Sequence, residues 1–364
     1  MKKNVFTLLA GAALLCACQP AQKNAGTIDI KLDEMKSDTL VVGSYLISDL
    51  NQNDLKKDTI LPGQTTYTYT AETDSIAYKV FVLSTREPNQ GIVLALLPGE
   101  QVEITGSLKD WQVAGSPLNA TYAPIQKACR PYIEKMDSLE EIMTDDIYRN
   151  VYLPTWHQMD SLQADYVRQH PDDDLSLFIL GEIGGKWVEE LYPTLTEQVK
   201  NGPFAHIAQA FEKGFRRRKM FEENKKKMVE GAVAPDFTLN DLQGKPLTLS
   251  SLRGQYVVLD FWASWCGACI QEIPDMKKYY EQHKDKMQIV GVDCHDKEKD
   301  WKAAVEKHEI PWLHVRSTDD SDVSLLYAIE AYPTKIVVDP EGKIAKIFVG
   351  EGPALYEYLD TLFN

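Results

Sequence analysis

The spacing of apolar and polar residues changes twice along this chain of 364 residues. From Thr27 to about Val113, apolar residues recur with a period near two, in runs such as TLVVGSYLIS and SIAYKVFVLS. Turns rich in Gly and Pro separate these runs, and a period of two is typical of half-buried β-strands. The pattern predicts a small β-domain, either a sandwich or a partial barrel.

From about Asn119 to Val229 the apolar residues are spaced three and four apart, with charges between them, which predicts helices. The break HPDDDLS separates two of these helices, and an Asp there is expected to cap the second. The basic clusters RRRK and KKK are interleaved with glutamates, so they indicate a solvated helix face rather than a polyanion site.

The third segment, from about Gly231 to the end, alternates strand patterns with helix patterns. A buried strand is predicted over Tyr256 to Phe261, and a helix from Cys266 to about His283. Two later strands, TKIVVD and KIAKIFV, flank the turn PEGK. Alternating strands and helices predict an α/β layer fold with parallel pairing, to which the terminal hairpin adds an antiparallel edge.

The first residues, MKKNVFTLLAGAALLCAC, have the form of a secretory signal: two lysines, then an apolar run too short to span a bilayer. Its end, LCAC, resembles the lipobox of bacterial lipoproteins, with Cys18 as the lipidated residue. Buried acyl chains would then anchor the protein. In lipoproteins of two-membrane bacteria an Asp after the cysteine indicates the inner membrane. Gln19 therefore favours the outer membrane, facing the periplasm.

Charge and cysteine content narrow the function. The formal net charge of −15 argues against nucleic acid as a partner. Of six cysteines, Cys16 would be removed with the signal and Cys18 lipidated, which leaves four. Four thiols in a chain of this length are not a disulfide scaffold. The close pair Cys266 and Cys269 is therefore predicted to be a working redox pair.

The spacing of this pair has a chemical consequence. Cys266 lies where a buried strand gives way to a helix, and unpaired N–H groups at a helix start stabilise a thiolate. Such a thiol can have a pKa of ~3.5–7.5 instead of ~8.5. Cys269, three positions later, is within disulfide reach. A zinc site would need two further ligands, and the adjacent pair Cys294 and His295 is a poor metal pattern.

Two carboxylates flank the pair. Asp260 interrupts the apolar strand, so it should be buried with a raised pKa. Glu272 follows Cys269 by three residues and is a candidate base for the Cys269 proton; the alternative is an ordinary acid in the helix's first turn. Pro274 predicts a kink. Cys129 lies among helical apolar residues and is predicted to be a buried structural thiol.

The motif FWASWCGAC resembles the active-site motif of the thioredoxin superfamily. Together with APDFTL, LSSLRGQYVVLDFWASWC and AYPTKIVVDPEGKI, it resembles the TlpA/ResA-like branch of membrane-anchored, extracytoplasmic thiol–disulfide oxidoreductases. The resemblance covers about Gly231 to Asn364. The preceding region resembles the extra β and helical part of lipoproteins in this branch, and no motif carries over there.

The resemblance implies roles for particular residues. Cys266 would attack, Cys269 would resolve, and the two would form the redox disulfide. Asp260 falls at the buried-acid position of thioredoxins, and Glu272 at the acid position of ResA-like proteins.

The substrate-facing positions follow from the same resemblance. Pro333 would be the cis-proline facing the disulfide, and the backbone of Tyr332 would pair with a bound substrate strand. Trp265 would also contact substrate. The dipeptide Gly267-Ala268 departs from the Gly-Pro of general thioredoxins, which leaves the direction of electron flow open.

The predicted function is reduction of disulfides in periplasmic proteins, with electrons from a membrane thiol donor and without a cofactor or metal. Family analogy adds cytochrome c maturation as one role. Two alternatives are a peroxiredoxin-like thiol peroxidase and a binding or assembly lipoprotein with an auxiliary redox domain. The predicted organisation is a signal peptide (1–17), a tether (18–26), a β-rich domain (27–115), a helical region (116–230) and a thioredoxin-like domain (231–364).

Overall fold

The computed structural model describes residues 24–46, 55–73, 78–84 and 91–363. The predicted signal peptide and Cys18 lie outside the described residues. The chain divides into two compact units, Met1–Glu212 and Lys213–Asn364. The predicted domain limits at 115 and 230 stay predictions. In the part of the chain that the structure describes, no helix combines the length and the apolar character that crossing a membrane requires.

Over its described residues, the first unit begins with two four-stranded sheets, ordered β4-β1-β7-β8 and β3-β2-β5-β6. Alternate side chains of both sheets, among them Ile28 and Ile30 of the first and Val80 and Val82 of the second, fill one core and are fully buried. The β-region is thus a sandwich, which is one of the two forms that the sequence predicts. The strands are β1 (Asn24–Leu32), β2 (Leu40–Leu46), β3 (Lys56–Ile60), β4 (Tyr67–Thr73), β5 (Tyr78–Ser84), β6 (Gly91–Leu96), β7 (Gln101–Gly106) and β8 (Trp111–Ala114).

Helices follow the sandwich, as the spacing of apolar residues predicts. Ser116 and Asp173 cap the first and third long helices with side chains that accept backbone N–H groups, and Asp173 belongs to the predicted capping segment. The helices are α1 (Pro117–Glu140), α2 (Asp145–Ile147), α3 (Leu153–Gln169), α4 (Asp174–Ile183), α5 (Gly185–Leu191), α6 (Glu197–Lys200) and α7 (Ala205–Lys225).

Two amides of α1 cover the free edge of β6. The Asn119 side chain accepts from the Ala95 N–H (3.0 Å) and donates to the Ala95 carbonyl (2.8 Å). Gln126, two turns further, does the same at Val93 (3.0 and 2.7 Å). Side chains therefore take the hydrogen bonds that another strand would make at an open sheet edge.

The second unit contains a five-stranded sheet over the described residues, in the order β13-β12-β11-β14-β15. The pairs of β11 with β12 and of β12 with β13 are parallel, whereas β14 and β15 add antiparallel pairs. This confirms the predicted α/β sheet with an antiparallel hairpin at its edge. Its elements are β9 (Thr238–Asn240), β10 (Pro246–Thr248), β11 (Tyr256–Trp262), α8 (Gly267–His283), β12 (Met287–Cys294), α9 (Glu298–Lys307), β13 (Leu313–Ser317), α10 (Val323–Leu326), β14 (Thr334–Val338), β15 (Ile344–Val349) and α11 (Ala354–Phe363).

The central strand β11 is buried on both faces. Val258 and Trp262 face a core shared with α8, α9 and α11, while Leu259 and Phe261 face a second core shared with the α10 region. Helices thus cover both sides of the sheet, as an α/β layer fold requires. This is a thioredoxin-like domain, and it places the end of β11 directly before the two cysteines.

Candidate active site

A disulfide joins Cys266 and Cys269 at the start of α8, with their Cα atoms 5.3 Å apart. Cys266 is the N-cap of this helix, and its Sγ accepts the backbone N–H of Cys269 at 3.2 Å. Both cysteines are nearly buried, at 7% and 4% exposure. The Cys266 sulfur therefore lies at the N-terminus of α8, where the first backbone N–H groups have no partner within the helix.

Charge at this helix start favours a thiolate. The first turn of α8 carries no acidic side chain. The positive end of the helix dipole and the Cys269 N–H both point at the Cys266 sulfur, which lowers the free energy of its ionised form. The predicted role of Cys266 as the nucleophile is compatible with this position, and it stays a prediction.

The surface around the disulfide is apolar and exposed. Trp265 is 62% exposed, and its ring meets the Tyr332 ring edge-on with centroids 5.7 Å apart. The Tyr332–Pro333 peptide bond is cis, as the family resemblance predicts. The Pro333 carbonyl accepts the N–H of Gly350 at 2.8 Å, beside Val349, which is 68% exposed. Exposed apolar side chains therefore lie next to Cys266, at Trp265, and next to the Pro333 segment, at Val349.

The loop that leads into the helix is held by Asp296, which lies two residues after the end of β12. Asp296 accepts the backbone N–H of Ser264 at 2.7 Å and the Ser264 hydroxyl at 3.0 Å. Arg316 in turn donates to the Asp296 carbonyl at 3.2 Å. Asp293 is fully buried nearby, and burial, followed by the adjacent Asp296 carboxylate, raises its pKa to about 9.

Behind the cysteines lies a buried group of three charged side chains: Asp260, Glu272 and Lys335. Lys335 is 1% exposed; its Nζ donates to Glu272 Oε2 and lies 3.7 Å from Asp260 Oδ1. Burial raises the pKa of Asp260 to about 6, and the Lys335 charge opposes that rise. The Lys335 side chain thus interacts with the carboxyl groups of both Glu272 and Asp260.

A groove of about 530 Å³ runs along one side of α8. Its lining includes Ala268, which lies between the two cysteines, and Glu272, together with Tyr279 of α8 and Tyr356 of α11. Glu272 is therefore the member of the buried charged group that borders open space, whereas Asp260 and Lys335 do not line this groove.

Known proteins are similar to this chain over its C-terminal domain. The model of the AhpC/TSA family matches residues 231–347. The thiol-disulfide oxidoreductase ResA of Bacillus cereus is 32% identical over 139 residues, which are 38% of this chain and 80% of that protein. This chain belongs to the ResA family of thiol–disulfide oxidoreductases. ResA of Bacillus subtilis is 33% identical over 127 residues, 35% of this chain and 70% of that protein.

A solved structure covers a similar share of this chain. The thioredoxin domain of a thiol-disulfide oxidoreductase from Bacteroides vulgatus is 37% identical, covers 37% of this chain and 99% of that chain, and has a TM-score of 0.36. The matches to ResA proteins likewise span little more than a third of this chain.

For this ResA-family chain, the structure brings the sequence-predicted residues together. Cys266, Cys269, Trp265, Tyr332 and Pro333 lie on one side of the site, and of these five only Trp265 is exposed. Asp260 and Glu272 lie behind it and share one lysine. The roles proposed for these residues stay predictions.

Sequence reasoning missed Lys335, Asp296 and Val349. Lys335 interrupts the apolar strand TKIVVD, and its antiparallel partner in register is Asp260. Two opposite charges that each interrupt an apolar strand were the signal that could have found it. Asp296 carries no local signal, because only the tertiary fold brings it to Ser264.

Two further cysteines lie among the described residues of this ResA-family chain, Cys129 and Cys294, and both are free and buried. Burial raises the pKa of Cys129 to about 11 and that of Cys294 far above its usual value. Cys294 ends β12, and its side chain is fully buried. Among the described residues, no group of three or more His, Cys, Asp or Glu side chains is placed to hold a metal ion.

Proposed function

We propose that this thiol–disulfide oxidoreductase works outside the cytoplasm, anchored by a lipid on Cys18, and reduces disulfides of periplasmic proteins. The observation that carries the proposal is the Cys266–Cys269 disulfide at the N-terminus of α8, beneath exposed Trp265 and beside the cis Tyr332–Pro333 bond. The signal sequence and the LCAC motif support the location.

The reaction proceeds in two exchanges. The Cys266 thiolate attacks one sulfur of a substrate disulfide, a mixed disulfide forms, and the other substrate sulfur leaves with the electron pair and takes a proton. Cys269 then loses its proton, and its thiolate attacks Cys266. The second substrate sulfur leaves as a thiol, and Cys266–Cys269 is oxidised.

Regeneration needs a donor. Two electrons and two protons must return to the pair, and the periplasm has no reducing thiol pool of its own. A membrane protein that carries a reduced dithiol fits this requirement. Periplasmic proteins with mispaired cysteines, or apocytochromes whose haem-binding cysteines must be reduced, fit as substrates.

The decisive experiment is insulin reduction with dithiothreitol as donor, together with the reduction potential of the pair. The wild-type protein and Cys129→Ser, the matched control, should reduce insulin, and Cys266→Ser should not. Cys269→Ser should accumulate mixed disulfides with envelope proteins in cells. Wild-type protein that does not reduce insulin, or a Cys269→Ser protein that traps no partner, would contradict the proposal.

Two further results separate the alternatives. Rapid consumption of peroxide with sulfenic acid on Cys266 would favour a thiol peroxidase. A cellular phenotype that survives Cys266→Ser would favour a binding or assembly role. The location is tested by Cys18→Ser, which should release the protein from the membrane fraction.

A further inference from the structure

The first unit contains a cavity that the redox chemistry does not use. It has a volume of about 280 Å³ and lies between the edge of the sheet at β6 and the helices α1, α3 and α4. All the described residues that line it belong to the first unit. Its volume is close to the lower end of the ~300–1,000 Å³ range of small-molecule sites, so it suits a ligand of about one ring.

Polar side chains from two helices line this cavity. Asp160 and Gln163 of α3 lie one helical turn apart and are buried, at 6% and 8% exposure. Arg130 of α1 donates from Nη2 to the Leu108 carbonyl at 2.5 Å, whereas its Nη1 is buried and has no hydrogen-bond partner within the described ranges. A buried N–H group without a partner costs free energy. The Arg130 Nη1 therefore marks a place for an acceptor that the described chain does not supply.

Asp160 is the acid of this cavity that is most shielded from water. Burial raises its pKa, and the Trp156 side chain opposes that rise. A carboxyl group accepts hydrogen bonds from hydroxyl groups whether or not it is ionised, and the Gln163 amide can donate as well as accept. The cavity thus offers acceptors and donors within one helical turn of α3.

An aromatic side chain adjoins these polar groups. Trp156 of α3 lines the cavity one helical turn before Asp160 and is 43% exposed. The face of an aromatic ring is negative, so it attracts the weakly positive C–H groups of a saturated ring. A partly exposed tryptophan next to buried hydrogen-bonding groups therefore suits a ligand that has an apolar face and polar edges.

The charges of the lining disfavour a simple ion as the ligand. Asp160 and Glu134 line the cavity together with Arg130, while a third acid, Glu182, is paired with Lys79 at 2.6 Å. The acids would repel an anionic ligand, and a cationic ligand would lie beside the Arg130 guanidinium. A neutral ligand with several hydroxyl groups avoids both conflicts, because each hydroxyl can donate to a carboxyl group and accept from a guanidinium.

We propose that this cavity binds a neutral monosaccharide unit. One face of the sugar ring stacks on Trp156, its hydroxyl groups donate to Asp160 and bond with Gln163, and a hydroxyl or ring oxygen accepts from Arg130 Nη1. The proposal goes beyond the thiol chemistry of the second unit and does not rest on it. It makes the first unit a binding module for sugars, joined in one chain to an oxidoreductase.

Titration of the purified protein with defined sugars tests the proposal. The neutral probes are glucose, galactose, mannose and N-acetylglucosamine, and the anionic probe is glucuronate. Calorimetry and tryptophan fluorescence follow the binding. At least one neutral probe should bind with a dissociation constant in the millimolar range or below, and glucuronate should bind more weakly. Tighter binding of cellobiose or diacetylchitobiose than of the single sugar would assign one unit of a longer glycan; equal binding would assign a free monosaccharide.

Substitutions in the cavity test the groups that bind the sugar. Trp156→Ala removes the stacking face and should weaken binding about 2–10-fold, and Trp156→Phe should restore part of the affinity. Asp160→Ala removes a buried acceptor and should weaken binding about tenfold or more. Tyr148→Ala is the matched control, because Tyr148 is also 43% exposed, precedes Trp156 by eight residues and does not line the cavity. It should leave the affinity unchanged.

The outcomes that would overturn the proposal are specific. No binding of any neutral probe would refute it, and so would equal losses of affinity in Trp156→Ala and Tyr148→Ala. Binding of indole without binding of any sugar would assign the cavity to an apolar ligand instead. If the melting curve shows that Asp160→Ala does not fold, Trp156→Ala and its control decide, because Trp156 is partly exposed and its loss leaves the core intact.

Discussion

Asp296 binds Ser264 twice, through the backbone N–H and through the hydroxyl, and Ser264 lies two residues before Cys266 of the disulfide. A side chain two residues beyond the end of β12 thus fixes the loop that ends at the redox pair. Because Asp296 is buried, water does not readily replace these bonds.

Loss of this contact should loosen the site in a graded way. Ser264→Ala removes only the hydroxyl bond, which should cost about 1 kcal/mol of stability, whereas Asp296→Ala removes both and should cost about 2–3 kcal/mol. Insulin reduction should fall in the same order. Asp300→Asn, on the exposed face of α9, is the control. Equal effects of the two substitutions on both the unfolding midpoint and the rate would show that the backbone bond contributes nothing.

Asp293 should make the protein less stable as the pH rises. Its pKa is about 9 in the folded protein and 3.8 in the unfolded chain. Between these values the folded state holds a proton that the unfolded state releases, so the free energy of unfolding falls from pH about 4 to about 9. Asp293→Asn should flatten this slope and raise stability at pH about 8 by roughly 2 kcal/mol or more. Denaturant midpoints followed by tryptophan fluorescence measure it, and parallel curves for both proteins would contradict it.

His314 should make the protein less stable as the pH falls. It is almost fully buried between Trp262 and Trp312, and burial lowers its pKa from 6.5 to about 3. Between these values only the unfolded chain binds the proton, so stability is lost as the pH falls below about 6.5. From pH about 7 to about 5 the loss should be about 2 kcal/mol.

The substitution His314→Phe should remove this acid-side slope, whatever its effect on the absolute stability. His157→Gln, an exposed histidine of α3, serves as the control and should keep it. A slope that persists in His314→Phe would assign the acid sensitivity to other groups.

The edge of the sandwich gives a prediction for the first unit. Asn119→Ala leaves the buried N–H and carbonyl of Ala95 unpaired, which should cost about 2–3 kcal/mol. Gln126→Ala affects a half-buried position that water can reach, so its cost should be about 1 kcal/mol. Asn119→Ala should also aggregate faster, because the edge of β6 is then open to another strand. Unfolding midpoints and light scattering measure both effects, and the reverse order would contradict the account.

Much of the redox site follows from local sequence. A cysteine pair at a strand-to-helix junction is visible as the end of one period and the start of another, so Cys266 and Cys269 could be placed without a structure. Asp260 could be placed in the same way, because an acidic residue inside an apolar strand is expected to be buried. The family motif added the cis Tyr332–Pro333 bond.

The partners of these residues could not be predicted in the same way. Lys335 meets Asp260 because β14 pairs antiparallel with β11, and that register depends on the whole sheet. Asp296 reaches Ser264 because β12 lies beside β11. In the first unit, Asn119 and Gln126 are ordinary polar residues of a helix until β6 is placed beside them. Long-range pairing, rather than local pattern, decides such contacts.

Because Cys129 and Cys294 are buried, their reaction with a thiol reagent distinguishes folded from unfolded molecules. Burial raises the pKa of both thiols, so at neutral pH a thiol-specific dye added to the reduced, native molecule should react first with the pair at the helix start, and with all four thiols of the described residues only after unfolding. The number of labelled thiols therefore measures the fraction of folded molecules, and oxidation at Cys129 and Cys294 meets little thiolate in the folded state.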